Sequence, residues 1–420
     1  MNDNSDLSAP KLGRGDHVSS PSDRKWRWRP SRRSAAALAA VSLMGTTLGV
    51  VIATSNAAQA TPPGFLSQFH NVVRGPSTVP ANGDVNPYGI VVVPQSTGNL
   101  VEGGVLMSNF NNQANAQGTG TTIVEEMPDG SVSQFAQINQ ASASGPCPGG
   151  IGLTTALSVL PGGWVVVGSL PTTANGPANE GTPQGIGAGC LLVLDSTGQL
   201  VETWAGGAIN GPWDMTSTSF GHDAYLFVTN VLNGTVAADK GIPPNQPGNV
   251  VDGGTVLRIK VDLHPGQNPK VESQTVVASG FPERTDPAAL VIGPTGVTLG
   301  ANGTLYVADS ANNRIAAVPN ALERHDTFGM PGGITLSKAA VLNDPLGMAL
   351  APNGNVLTVN GNDGLIVETA PWGQTVDTAT LDDSGAPPGG AGDLFGLAVV
   401  PGGRGIWFVD DGTNTLNVFF

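Results

Sequence analysis

Along residues 303–315 an apolar run, Leu305-Tyr306-Val307-Ala308, closes on Asp309, passes through the polar stretch Ser310-Ala311-Asn312-Asn313, and resumes at Ile315. β-Branched and aromatic residues followed by an Asx-rich turn predict a hairpin. The same pattern recurs at residues 356–367 through Gly361-Asn362-Asp363-Gly364, and at residues 406–418 through Asp411-Gly412-Thr413-Asn414. A turn of the form Pro-x-Gly-apolar, with Leu394 in place of the proline before the third, stands ahead of these hairpins and opens a first strand. Read in this way the chain holds six units. They open at Pro87-Tyr88-Gly89, Thr154-Thr155-Ala156, Pro212-Trp213-Asp214, Pro294-Thr295-Gly296, Pro345-Leu346-Gly347 and Leu394-Phe395-Gly396. Their second strands end at Asn109, Ser169, Asn230, Asp309, Asn360 and Asp410. Four short strands repeated at a period of roughly fifty residues predict an all-β fold, a six-bladed β-propeller. The sixth unit lacks an outer strand, whereas residues 65–73 form a spare strand ahead of the first. The N-terminal strand is therefore expected to close the ring by pairing with residues 415–420, which removes a sheet edge.

The run Leu305-Tyr306-Val307-Ala308-Asp309 followed by Asn312-Asn313-Arg314-Ile315 resembles the NHL repeat, and residues 61–420 resemble the six-bladed NHL/TolB-like propellers of secreted bacterial proteins. The resemblance implies the fold. It leaves the activity open, because such propellers serve as scaffolds, lyases, lactonases and dehydrogenases.

Composition adds a compartment. Residues 1–34 are polar and basic, residues 35–53 are uncharged and apolar, and Ala58-Gln59-Ala60 offers a small-x-small cleavage site, so residues 1–60 are expected to be an export signal. Arg32-Arg33 resembles a twin-arginine signal; an ordinary secretory signal and an uncleaved anchor stay open. Residues 1–60 hold 8 of the 18 basic and 4 of the 32 acidic residues, so residues 61–420 keep 10 basic and 28 acidic, a net of −18. That charge argues against nucleic acid and anionic membrane as partners. A monomer, periplasmic or extracellular, that meets a protein, small-molecule or carbohydrate ligand is expected. Cys147 and Cys190 both fall in the exported part, where an even count suggests a disulfide; two buried free thiols are the alternative.

The entry to each first strand and the turn after each second strand share one face of the disc. Long second-to-third loops at residues 110–120, 170–189 and 231–253 would wall one side of its mouth. Asn86, Asp344 and Asp393 stand just before first strands, and Glu283, Arg284 and Asp286 enter the fourth blade, so these residues and Trp213 are the candidate ligand-binding set. Asn86, Asp344 and Asp393 are the candidate Ca²⁺ ligands, as in the sugar-lactonase-type propellers that the chain resembles. Asn and Asp at such positions also serve as turn formers, and the strand-end series Asn109, Asn230, Asp309, Asn360 and Asp410 is read in that way. Trp164, Trp204, Trp372 and Trp407 are read as blade packing. His70, His222, His264 and His325 are not expected to converge, so a zinc site or a Ser-His-Asp triad is not predicted, and no catalytic residue is assigned. Two readings follow. One is a binding or scaffold module. The other is a metal-dependent lactonase- or lyase-like enzyme with its site at the mouth.

Overall fold

A computed structural model describes residues 63–138, 147–171, 189–243 and 245–420. The export-signal expectation at residues 1–60 and most of the long loop of the second blade lie outside these residues. The described strands form six antiparallel sheets, in which the chain runs from first to last strand by simple neighbour pairing. Blade one is Val85–Val92, Val105–Asn111, Thr122–Glu126 and Val132–Gln137. Blade two is Leu153–Leu160, Trp164–Leu170, Cys190–Leu194 and Leu200–Ala205. Blade three is Gly211–Phe220, Asp223–Val231, Val251–Asp262 and Lys270–Asp286, with the short strand Leu290–Ile292 added beyond them. Blade four is Pro294–Leu299, Leu305–Asp309, Arg314–Val318 and Ile334–Ser337. Blade five is Pro345–Leu350, Val356–Asn360, Leu365–Thr369 and Thr375–Thr380. Blade six is Leu394–Val399, Ile406–Asp410, Thr415–Phe419 and, on its outside, the N-terminal Val72–Ser77.

The first strands touch one another in the order one to six and back to one, so they ring the axis. That crowding explains the glycine of the opening turns. A Cβ on Gly89, Gly296, Gly347 or Gly396 would come within 2.0–2.3 Å of the neighbouring blade's backbone oxygen at Thr155, Leu346, Phe395 or Tyr88. Only a residue without a side chain permits that approach.

The core lies between blades. Leu106 and Ile123 of blade one pack on Val165 and Leu192 of blade two, Leu226 and Ile259 of blade three on Val166 and Leu191 of blade two, and Leu357 of blade five on Phe408 of blade six. Both faces of each sheet are thus covered, which is why runs such as Cys190–Leu194 are buried at every position instead of alternating.

Ring closure follows the expected logic with a shifted register. Val72 pairs with Phe419, Val73 with Val418, Arg74 with Asn417 and Ser77 with Thr415. Residues 65–69 do not extend this strand. Leu66–Gln68 is a 3₁₀ turn, and the Phe65 and Leu66 N–H groups donate to Glu368 of blade five at 2.9 Å each. Phe65, Leu66 and Phe69 bury their side chains against blades five and six, and Phe69 stacks edge-on to Phe419 at 5.8 Å. The expected pairing of 65–73 is corrected to 72–77, because this apolar run fills the gap between two blades.

Cys147 and Cys190 are disulfide-bonded, with Cα atoms 5.4 Å apart, and the described residues contain no free cysteine. The bond joins the segment entering blade two to the start of its third strand. It is compatible with an oxidising compartment. No helix among the described residues is long and apolar enough to cross a membrane.

Candidate functional site

The second residue of the opening turn is Tyr88 in blade one, Trp213 in blade three and Phe395 in blade six, and all three line a cavity of about 380 Å³ at the mouth. Trp213 Nε1 donates to the Tyr88 hydroxyl at 2.5 Å, and the two rings meet edge-on at 5.9 Å. Tyr88 also lies 4.9 Å from Phe395 and 6.1 Å from Phe110, so four rings make a continuous floor. Burial first, and then the charge of Asp214, hold the Tyr88 phenol well above its ordinary pKa, and it stays protonated. Below this floor a second cavity of about 300 Å³ runs between the first strands of all six blades, with Asp214 on its wall. Burial raises the Asp214 carboxyl to about 7 against the pull of the Met215 and Val297 N–H groups.

Polar groups stand above the aromatic floor. Asn86 and Asp344, each one residue before the opening proline, hold left-handed backbone with φ of 63° and 56°. Asx residues tolerate this region better than other side chains. Each is fixed from the preceding blade: Asn414 Oδ1 accepts the Asn86 N–H at 2.7 Å, and Asn313 Oδ1 accepts the Asp344 N–H at 2.6 Å. Arg284 and Asp286 arrive from blade three, whose long last strand turns back through Ala288 and Ala289 into Leu290–Ile292. Arg284 Nη1 donates to Asp286 Oδ2 at 2.7 Å, and Asp286 Oδ1 accepts the N–H groups of Ala288 and Ala289. Across the mouth, Gln117 of the blade-one loop donates through Nε2 to the Ala288 carbonyl at 2.5 Å. The loop of blade one therefore walls the mouth as expected, whereas on the blade-three side the wall is residues 284–292 and not the 231–253 insertion, which carries the short helix Thr235–Ala238.

Five of the seven candidate residues thus line one cavity: Asn86, Trp213, Arg284, Asp286 and Asp344. Glu283 and Asp393 do not. Glu283 is fully buried, and its carboxylate accepts the Leu232 and Asn233 N–H groups at 2.8 and 2.7 Å, tying down the insertion. Asp393 occupies the same repeat position as Asn86 and Asp344 but lacks their left-handed backbone. Its carboxyl lies beside Gly412 and shares a hydrogen bond with Asp382. Its place at the cavity is taken by Asp411, which the sequence reading treated as a turn residue. Asp411 Oδ2 accepts from Asn86 Nδ2 at 2.9 Å, whereas Oδ1 is buried without a partner. Gln117 Oε1, also on the cavity lining, is buried and unpartnered too.

The two free carboxyls are shifted upward. Asp344 is raised to about 6, by burial first and then by Asp286, with Arg284 acting in the opposite direction. Asp411 is raised to about 7, by burial first and then by Asp393 and Asp410. Of the oxygen donors expected for Ca²⁺, Asn86 and Asp344 share the cavity with Asp411. Among the described residues no three His, Cys, Asp or Glu side chains close on one point, and a guanidinium occupies the same cavity. Asn86, Asp344 and Asp411 are side-chain oxygen donors that this cavity offers to a cation.

The strand-end residues have structural work, as read from their repetition. Asn230 Oδ1 accepts the Asn210 and Gly211 N–H groups, and Asp309 binds Arg314 Nε at 2.6 Å. Two expectations change. His222 and His264 do meet, with ring centroids 5.4 Å apart at the edge of blade three, although each ring also has its own partner, the Leu263 carbonyl and Asp262 respectively. Trp372 is not blade packing: it is 69% exposed on a turn of blade five.

Residues 292–317 match the NHL repeat model. The chain is an NHL-repeat-like six-bladed β-propeller. Among solved structures it is similar to a gluconolactonase from Xanthomonas campestris (13% identity, TM-score 0.42, 83% of this chain and 99% of that chain). It is also similar to a virginiamycin B lyase from Staphylococcus aureus (12% identity, TM-score 0.42, 83% of this chain and 98% of that chain). A third is the calcium-binding protein regucalcin from Agrobacterium tumefaciens (12% identity, TM-score 0.46, 84% of this chain and 93% of that chain). No curated protein matches the sequence.

Proposed function

We propose that this propeller acts outside the cytoplasm as a small-molecule enzyme of the lactonase or lyase type, with the mouth cavity as its site. The observation that carries the reading is the convergence of Asp344, Asp411 and Arg284 over an aromatic floor. Two carboxyls with raised pKa beside a guanidinium in a concave pocket are what acid–base chemistry near neutral pH requires. At pH 7 Asp344, at about 6, is mostly ionised and serves as the base. Asp411, at about 7, is half protonated and serves as the acid. In ring opening of a lactone, Asp344 takes a proton from water, the water oxygen bonds to the carbonyl carbon, and the ring C–O bond breaks. Asp411 gives its proton to the leaving oxygen. Arg284, oriented by Asp286, faces the developing oxyanion with its remaining N–H groups. In an elimination the same base takes the proton from carbon, the C=C bond forms as the C–O bond to the leaving carboxylate breaks, and Asp411 gives that carboxylate its proton.

The test is a panel of γ-, δ- and macrocyclic lactones incubated with the purified protein. Acid release is followed by a pH indicator, and new unsaturation by absorbance. Turnover is expected for some members, and Asp344→Asn and Asp411→Asn are each expected to lower it about 100-fold or more, the usual contribution of one acid–base group. A protein that binds panel members without opening any of them would be the binding module instead, and the enzyme reading would be wrong.

A further inference from the structure

We infer that the mouth cavity accepts a positively charged ligand, an ammonium-bearing molecule whose apolar body rests on the rings of Tyr88, Trp213, Phe395 and Phe110. For turnover this rests on the proposed enzyme reading; for binding it stands alone.

The argument is one of missing partners. Arg284 is the cation of the cavity, and its charge is already matched by Asp286 at 2.7 Å. Asp286 in turn has both oxygens occupied. What is left unmatched is negative. The Asp344 carboxylate receives no hydrogen bond among the described residues, and Asp411 receives one, from Asn86, with its second oxygen buried and unpartnered. The buried Gln117 oxygen is a third acceptor with no donor. The charge left unmatched in the cavity is therefore negative, and an ammonium group supplies both the positive charge and the N–H donors that these oxygens lack. A carboxylate ligand would instead meet Asp344 and Asp411.

The floor favours the same ligand. Its rings are linked at centroid distances of 4.9, 5.9 and 6.3 Å, so a cation seated above Tyr88 lies over or beside several aromatic quadrupoles at once. The volume of about 380 Å³ suits a small amphipathic molecule, toward the lower end of known ligand sites. At long range, the net charge of −18 over residues 61–420 draws cations toward the surface and repels anions.

The experiment is calorimetric titration at fixed ionic strength with three probes of similar shape: phenethylammonium chloride, the neutral carbinol 2-phenylethanol, and phenylacetate. The ammonium is expected to bind about 10-fold or more tightly than the carbinol, with no competition from phenylacetate. Asp344→Asn and Asp411→Asn are each expected to weaken the ammonium about 5-fold or more and to weaken the carbinol by a smaller factor. Should either variant fail to fold, the order of the three probes on the unmodified protein decides. The inference is overturned if the carbinol binds as well as the ammonium, if phenylacetate binds best and loses its affinity in Arg284→Ala, or if none of the three binds. Lactone turnover without ammonium binding or competition would defeat this inference and leave the enzyme reading standing. Ammonium binding without any turnover would do the reverse.

Discussion

Glu368 is a sharp point at which to perturb this fold. It sits in the third strand of blade five, fully buried, and accepts four hydrogen bonds. Phe65 N–H, Asn353 Nδ2 and Asn355 Nδ2 donate to Oε1, and Leu66 N–H donates to Oε2. Burial on its own would raise its pKa, but the Leu66 and Phe65 N–H groups and the two asparagine amides outweigh that and hold it below the ordinary value. Glu368→Gln keeps the shape and removes the charge. The new NH₂ is best placed at the Oε2 position, where it confronts the Leu66 N–H, and one buried donor loses its acceptor at a cost of about 1–3 kcal/mol. The three remaining bonds lose their charge assistance, roughly 0.5 kcal/mol each. The expected loss is about 3 kcal/mol. At about 2.1 cal/mol/K per residue, a folded unit of this size has an unfolding entropy near 0.75 kcal/mol/K, so Tm should fall by about 4 °C. Because the folded pKa is depressed, the stabilisation is present above the unfolded pKa and is lost as pH falls through the folded one. The deficit of the variant should therefore be clear at pH 7 and should shrink below about pH 4. Thermal unfolding followed by circular dichroism at both pH values reads this, with exposed Glu102→Gln as the control. A Glu368→Gln protein within 1 °C of the parent at pH 7, or a deficit that persists unchanged in acid, would refute the reasoning.

Other measurements bear on the same architecture. Replacing Cys147 and Cys190 by Ser removes a cross-link with a sequence separation of 43 and should cost about 4 kcal/mol in the chain-entropy model, or roughly 5 °C in Tm; thiol titration of the parent under denaturing, non-reducing conditions should find no free thiol. Asp411 is raised from the ordinary 3.8 to about 7, so the folded state binds its proton more tightly than the unfolded chain does, and stability should decline as pH rises between those values. Asp411→Asn should then be more stable than the parent at pH 8, by at most about 4 kcal/mol at 1.36 kcal/mol per pH unit, and no more stable at pH 3; an equal Tm difference at both pH values would count against a buried, unmatched carboxyl. Deleting residues 61–74 removes half of the closing strand Val72–Ser77 and the buried Phe65, Leu66 and Phe69, worth roughly 2 kcal/mol each, and should lower Tm by more than 5 °C; an unchanged Tm would mean that the ring does not depend on this closure.

The sequence by itself determined the strands, the sixfold repeat and the closure of the ring. These depend on short-range pattern: apolar runs ending in Asx residues, and, in four of the six blades, a glycine where one inner strand presses on the next. It also carried the aromatic floor in a form easy to overlook, since Tyr88, Trp213 and Phe395 all hold the second place of the opening turn, while only Trp213 stood out. Tertiary structure alone decided the rest. Residues 65–69 have the composition of a strand and become a plug, because the acceptor for their N–H groups is Glu368, 303 positions away from Phe65. Asp393 and Asp344 share a repeat position, yet only Asp344 reaches the cavity, because backbone handedness aims a side chain and residue type does not fix handedness. Asp411 reads as a turn residue, and its unpartnered oxygen and raised pKa come from burial beside carboxyls of its own blade. Periodicity is local and can be read along the chain. The cavity is built by all six blades meeting at an axis, and the charge balance within it exists only once the ring has closed.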